Sequence, residues 1–74
     1  MVYAIWDTES ANIVDSYRSE AEALADVRDA VTRFGRSYAA SWALACHEGN
    51  DTIAIAEGEA LIDRALGVRS AQHP

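Results

Sequence analysis

Cys46 and His47 are the only adjacent pair in the sequence with nucleophilic potential. A thiolate activated by an imidazole base would be the working unit of a cysteine hydrolase. The residues around them read as a strand, which sends neighbouring side chains to opposite faces, so neither can activate the other. Cys46 shares its parity with Trp42 and Leu44 and reads as a small buried hydrophobe. His47 reads as an exposed strand-end residue, and His73 lies in the C-terminal tail. Asp7, Glu9 and Asp15 flank the first turn and would meet across a hairpin, where carboxylates can hold a divalent metal for hydrolysis. On a chain this acidic, carboxylates beside a turn are by default solvated, so a metal-dependent hydrolase is the third reading and no metal site is assigned. Glu48-Gly49-Asn50-Asp51 has part of a calcium loop's composition but neither its oxygen spacing nor its terminal glutamate, and reads as a turn. Gly58-Glu59 precedes a helix without the glycine-rich loop or lysine that a phosphate cradle needs. The expectation is a protein without catalytic residues or cofactor, hence not an enzyme.

Recognition chemistry is better represented. Trp6 and Trp42 both fall on strands. Trp42 shares parity with Leu44 and belongs to the core, whereas Trp6 has the opposite parity and can anchor a contact, as aromatic residues often do at interfaces. Glu20, Glu22, Asp26 and Asp29 line the outer face of a helix and offer a negative surface to an arginine- or lysine-rich protein. Trp6, Val14, Glu22, Asp26 and Asp29 are therefore the expected partner-binding residues. The 74 residues carry 12 acidic and 6 basic side chains, a net charge of −6, and every basic one is an arginine. That balance argues against direct binding to a nucleic-acid backbone, which calls for a basic face. No apolar run approaches the ~18 residues of a membrane span. Nothing at Met1-Val2-Tyr3 resembles a secretory leader, so a cytoplasmic protein is expected.

The elements that must position these residues follow from pattern and punctuation. Val2–Asp7 and Ile13–Tyr17 are rich in β-branched and aromatic residues and form a hairpin around a polar connection. Tyr3, Ile5, Ile13 and Tyr17 share one parity, with Trp6 and Val14 on the other. Ser19 and Glu22 make a capping box at a helix start. Beyond it Leu24, Val27, Val31 and Phe34 form one apolar stripe flanked by Ala23 and Ala30, closed by a left-handed cap at Gly35. Residues 36–40 connect to a second pair of strands, Ser41–His47 and Thr52–Ala56. A short helix over Glu59–Leu66 buries Leu61, Ile62 and Leu66 and stops at Gly67. Residues 1–67 are expected as one domain, with a flexible tail over 68–74.

Each half thus reads strand, turn, strand, helix. Glu22-Ala23-Leu24-Ala25-Asp26 also answers Glu59-Ala60-Leu61-Ile62-Asp63. The expected fold is α+β, a four-stranded antiparallel sheet in ββαββα order with the long helix on one face. Its other face would hold Ala4, Trp6, Val14, Ala43, Ala45, Ala54 and Ala56. So apolar a surface on so small a domain calls for a second layer, and a homodimer is expected.

The passage Ser16-Tyr17-Arg18-Ser19-Glu20-Ala21-Glu22-Ala23-Leu24-Ala25-Asp26-Val27-Arg28-Asp29-Ala30-Val31 resembles the strand-to-helix region of HicB-type antitoxins, in which a capped Glu-Ala-rich helix follows a small hairpin. The resemblance covers at most the first half of the chain and implies an acidic domain that masks a small basic RNA-cleaving toxin and assembles as an oligomer. It assigns no individual site residue. The leading expectation is a non-enzymatic interaction module, with an antitoxin-like inhibitor of a basic protein as its most specific form. The alternative is a small-ligand binding or sensing domain, in which Trp6 or Trp42 lines an apolar pocket between subunits.

Overall fold

The computed structural model describes residues 2–67. In chain order these form β1 (Val2–Asp7), β2 (Asn12–Tyr17), α1 (Glu20–Phe34), a 3-10 helix (Arg36–Ala39), β3 (Trp42–Glu48), β4 (Asp51–Glu57) and α2 (Gly58–Leu66). The strands make a single antiparallel sheet in the order β2-β1-β3-β4, so the fold is α+β in ββαββα order. The tail expected over 68–74 lies outside the described residues.

Both hairpins turn where the sequence supplies turn chemistry. At Gly49-Asn50 only the first residue has positive φ, 61°, which is the signature of a two-residue type II′ turn. The first hairpin turns through a longer loop in which Ala11 takes φ 59°. Ser19 Oγ accepts from Glu22 N at 3.1 Å and caps α1, a contact worth about 1 kcal/mol. The return half of the capping box is displaced by one residue: Glu22 Oε1 accepts from Arg18 N at 3.1 Å, not from the Ser19 amide.

Three details of the helical layer differ from the sequence expectation. First, α1 buries Ala23, Val27 and Ala30, while Leu24 and Val31 are only partly buried and Phe34 is 60% exposed. Small residues at i, i+4 and i+7 let the helix approach its neighbours closely, which favours the alanine-lined face. Phe34 extends beyond that contact and packs on Tyr38, with ring centroids 4.6 Å apart; Tyr38 in turn meets Trp42 edge-on at 5.6 Å. Second, Gly35 has φ 93° and ψ 167°, so it ends α1 in a glycine-favoured extended conformation and not in a left-handed cap. Its amide still donates to Val31 O at 2.8 Å, and the chain continues directly into the 3-10 helix. Third, α2 turns Ala65 inward beside Leu61 and Ile62, and Leu66 is left 37% exposed.

Strict alternation also fails at two β-bulges. Between β1 and β2 the register passes from Ile5↔Asp15 to Trp6↔Ile13, leaving Val14 unopposed. Between β3 and β4 it passes from Leu44↔Ala56 to Ala45↔Ala54, leaving Ile55 unopposed. One extra residue moves everything beyond it to the other face. Ile13 therefore stands with Trp6 on the face away from the helices, and Ala56 stands with Leu44 beneath them. Both placements reverse the simple parity reading. The helix-covered face holds Ile5, Leu44 and Trp42, which with Val27, Leu61 and Ile62 form the core.

The two ββα halves meet through the central pair β1–β3, and β2 and β4 occupy the edges. Burial aligns the helices one residue away from the Glu-Ala-Leu-x-Asp match. Ala23 corresponds to Leu61 and Val27 to Ala65, all inward-facing.

Candidate functional site

The five residues expected to bind a partner fall into two groups on different layers. Trp6 lies on the helix-free face, half-buried between Ile13 and Ala43 in the ladder. Val14 is the bulge residue of edge strand β2 and is 41% exposed. Glu22, Asp26 and Asp29 lie on α1, and each has an internal partner. Glu22 holds the Arg18 amide, and Asp29 pairs with Arg33 one helical turn on, at 3.2 Å. Asp26 Oδ2 accepts from Tyr17 Oη at 2.5 Å, tying α1 to β2. Burial first, and then this carboxylate, push the Tyr17 phenol well above its ordinary range.

The carboxylates considered for a metal do not converge. Asp7 Oδ1 accepts from Ser41 Oγ at 2.9 Å and from Glu9 N at 3.1 Å, and these donors hold its carboxyl below the usual range. Asp15 faces Ile5 further along the ladder and accepts from Ser16 N at 2.8 Å. Among the described residues, no three His, Cys, Asp or Glu side chains are grouped as a metal site would require. Cys46 is buried opposite Tyr3, and His47 Nδ1 lies 2.9 Å from Thr52 Oγ1 across the β3–β4 ladder. They occupy opposite faces, as the alternation predicts.

Charge is divided between the two layers. Arg36 bridges Glu59 at 2.5 Å and Asp63 at 2.8 Å, fastening the 3-10 helix to α2. Arg64 bridges Glu20 at 2.6 Å, fastening α2 to α1. These pairs and Arg33–Asp29 lie in the helical layer. No strand contains an arginine. Glu48, Asp51 and Glu57 of the second hairpin take part in no ion pair among the described residues. Among the described residues the strand carboxylates Asp7, Asp15, Glu48, Asp51 and Glu57 have no cation, nor have Glu22 and Asp26 on α1; of these, Glu48, Asp51 and Glu57 gather at the ends of β3 and β4.

Between those ends the sheet is apolar. On the helix-free face the ladder sets Ser16, Ala4, Ala45 and Ala54 in one row, and Ile13, Trp6, Ala43 and Glu57 in the next. Ala4 and Ala45 are buried there, shaded by larger neighbours, and Val2 and Ile13 stand about half exposed around them. A cavity of about 290 Å³ opens at the second bulge, lined by Ala43, Ala54, Ile55, Ala56 and Glu57. A second, of about 410 Å³, lies at the far end of β2 between Val2, Ser16, Tyr17, Arg18 and Glu22. Neither tryptophan lines either cavity.

The chain matches no protein-family model, no curated protein and no solved structure. No helix among the described residues is long and apolar enough to cross a membrane.

The sequence reading placed Asp51 in a turn and Ile53 on a strand, and did not join them with Glu57 as one edge. A readable signal was present, since acidic residues bracket a β-branched run with no charge inside it. What the sequence does not carry is that this run lies at an edge. That depends on β1 pairing with β3, a contact between residues some 40 positions apart.

Proposed function

We propose that this chain is a non-enzymatic interaction module that binds a basic protein through its sheet layer. The carrying observation is the division of charge: the arginines of the ion pairs are spent within the helical layer, and the carboxylates of the second hairpin are left without cations. An inhibitor of the antitoxin type, masking a basic toxin, is the most specific form of this reading. Unmatched carboxylates on a protein of net charge −6 speed encounter with a cationic partner and select against acidic ones. Affinity capture with the tagged chain at low and moderate salt tests it. A stoichiometric basic partner should be retained at low salt, released as salt rises, and lost with Asp51→Asn/Glu57→Gln. Capture of neutral or acidic proteins only, or indifference to the double variant, refutes it.

A second copy is the partner that suits the helix-free face. Around Ala4, Trp6, Ile13 and Ala45 that face is apolar and holds no carboxylate, with Glu57 standing apart at its β4 border. Depletion of charge at an apolar centre is the composition of self-association surfaces. Light scattering across a concentration series should show the 8.0 kDa chain doubling in mass. Trp6→Ala should shift that doubling to higher concentration, and a constant monomer mass refutes the dimer.

A further inference from the structure

We infer that the free edge of β4 captures an extended segment of the basic partner as a fifth strand, with an apolar side chain of that segment seated in the cavity at the Ile55 bulge. The inference deepens the reading above and rests on it. β4 ends the sheet, so alternate backbone N–H and C=O groups along it face outward without a strand. Asp51 to Ala54 keep regular antiparallel register with Glu48 to Ala45, which is the straight edge that strand addition uses. Ile53 is 54% exposed beside that edge. Where the straight run stops, the bulge opens the 290 Å³ cavity, with three alanines and Ile55 as apolar walls and Glu57 at its rim.

Charge complementarity decides what the added strand is. Asp51 and Glu57 bracket an otherwise uncharged strand and have no cation of their own among the described residues. The fitting occupant has an apolar centre and an arginine or lysine at each end. A second copy fits poorly: two antiparallel β4 strands bring Asp51 of one toward the second copy's Glu57 at both ends, and the bulge breaks their register. The opposite edge is less open to addition. On β2 the Asp15 carboxylate already takes the Ser16 amide, and in the adjoining cavity Arg18 stands with Glu22, which leaves no net negative charge to draw a cationic segment.

The test uses the full chain and three hexapeptides: Arg-Thr-Val-Val-Thr-Arg, whose end side chains fall on opposite faces as Asp51 and Glu57 do across the bulge, the same peptide N-methylated at alternate amides, and a version with glutamate at both ends. Binding is followed by the chain's amide NMR spectrum and by hydrogen exchange. The first peptide should bind, slow exchange of β4 amides, and shift Ala43, Ala54 and Glu57. N-methylation should abolish binding because it removes the ladder donors. The glutamate ends should weaken it at least about five-fold at low salt, with the difference shrinking as salt screens the ends. Ala43→Leu, which fills the cavity, should weaken it while the free variant's spectrum remains dispersed. Undiminished binding of the N-methylated peptide, exchange protection confined to β2, or no binding at millimolar peptide overturns the strand addition. If a basic protein is still captured from lysate in a charge-dependent way, only the docking mode has failed. If it is not, the broader reading has failed with it.

Discussion

Replacing Tyr17 with phenylalanine deletes one hydroxyl and with it the 2.5 Å bond to Asp26 that ties β2 to α1. The phenol is partly buried and the carboxylate exposed, so the bond falls below the range of buried charged hydrogen bonds, at about 1 kcal/mol. In a domain of this size that lowers Tm by roughly 4–8 °C at neutral pH. The pH dependence distinguishes this bond from a generic packing loss. The Tyr17 phenol is raised in the folded state, so its contribution is complete below the unfolded value near 10 and is lost as pH rises toward the folded value. Above pH 10 the unfolded wild-type chain ionises this tyrosine and the folded chain does not. The wild type therefore loses at most about 1.4 kcal/mol per pH unit, less where solvent still reaches the ring. The variant has no such loss, and the two stability curves should converge near pH 11. Urea unfolding from pH 7 to 11.5, with tyrosine absorbance followed in parallel, measures both. A variant as stable as wild type at pH 7, or a gap that stays constant to pH 11.5, would show that the bond does not hold β2 to α1. Asp26→Asn should fall between them at pH 7, because the amide oxygen still accepts from the phenol without a charge.

Other outcomes follow from the same structure. Leu44→Ala, at the fully buried centre of the sheet, should cost about 2–5 kcal/mol and leave the chain largely unfolded in the absence of denaturant, read by circular dichroism. Ile53→Thr on the exposed edge should cost less than about 1 kcal/mol in the same assay. Asp7 is depressed by the Ser41 hydroxyl and the Glu9 amide, so its contribution is present above the ordinary carboxylate range and disappears as pH falls through the lower folded value. Ser41→Ala should therefore reduce stability at pH 6 and converge on wild type in strong acid. Arg36→Gln should lower stability by up to about 1 kcal/mol at low salt and by less in 0.5 M NaCl, since its guanidinium is 45% exposed.

Element order was legible because it rests on local signals. Ser19 and Glu22 announce the helix, Gly49-Asn50 turns the second hairpin, and Gly67 stops α2 in a left-handed cap. The orientation of strand side chains was legible along β1 and β3 and was lost beyond the bulges of β2 and β4. Val14 and Ile55 look like ordinary alternating residues, yet each is the extra residue that reverses the faces beyond it. No local property of Ile13 or Ala56 reveals that reversal, because a bulge is fixed by the twist and pairing of two strands together. Phe34 failed for a related reason. Its spacing continues the stripe, but α1 buries the face that carries Ala23, Val27 and Ala30, and Phe34 packs on Tyr38 outside the core. The acidic residues on α1 were visible as charge, but their partners Tyr17, Arg18 and Arg33 become apparent only with side-chain geometry.

The proposed site accordingly lies on the sheet and not on the helix. A carboxylate already bonded to its own chain is held in place and partly satisfied, so a partner gains less from it than from a free one. Glu22, Asp26 and Asp29 are in that position. Asp51 and Glu57 are not, because no arginine reaches them among the described residues, so a cation brought to β4 competes only with water. The same strand supplies what charge alone lacks, namely unpaired backbone to fix direction and register, and a bulge cavity to choose one apolar side chain. Backbone bonds alone would accept any extended chain, and charge alone any basic surface. In the proposed mode their coincidence on one edge selects a basic-flanked strand, and the charges that attract that strand also keep copies of β4 from pairing with each other.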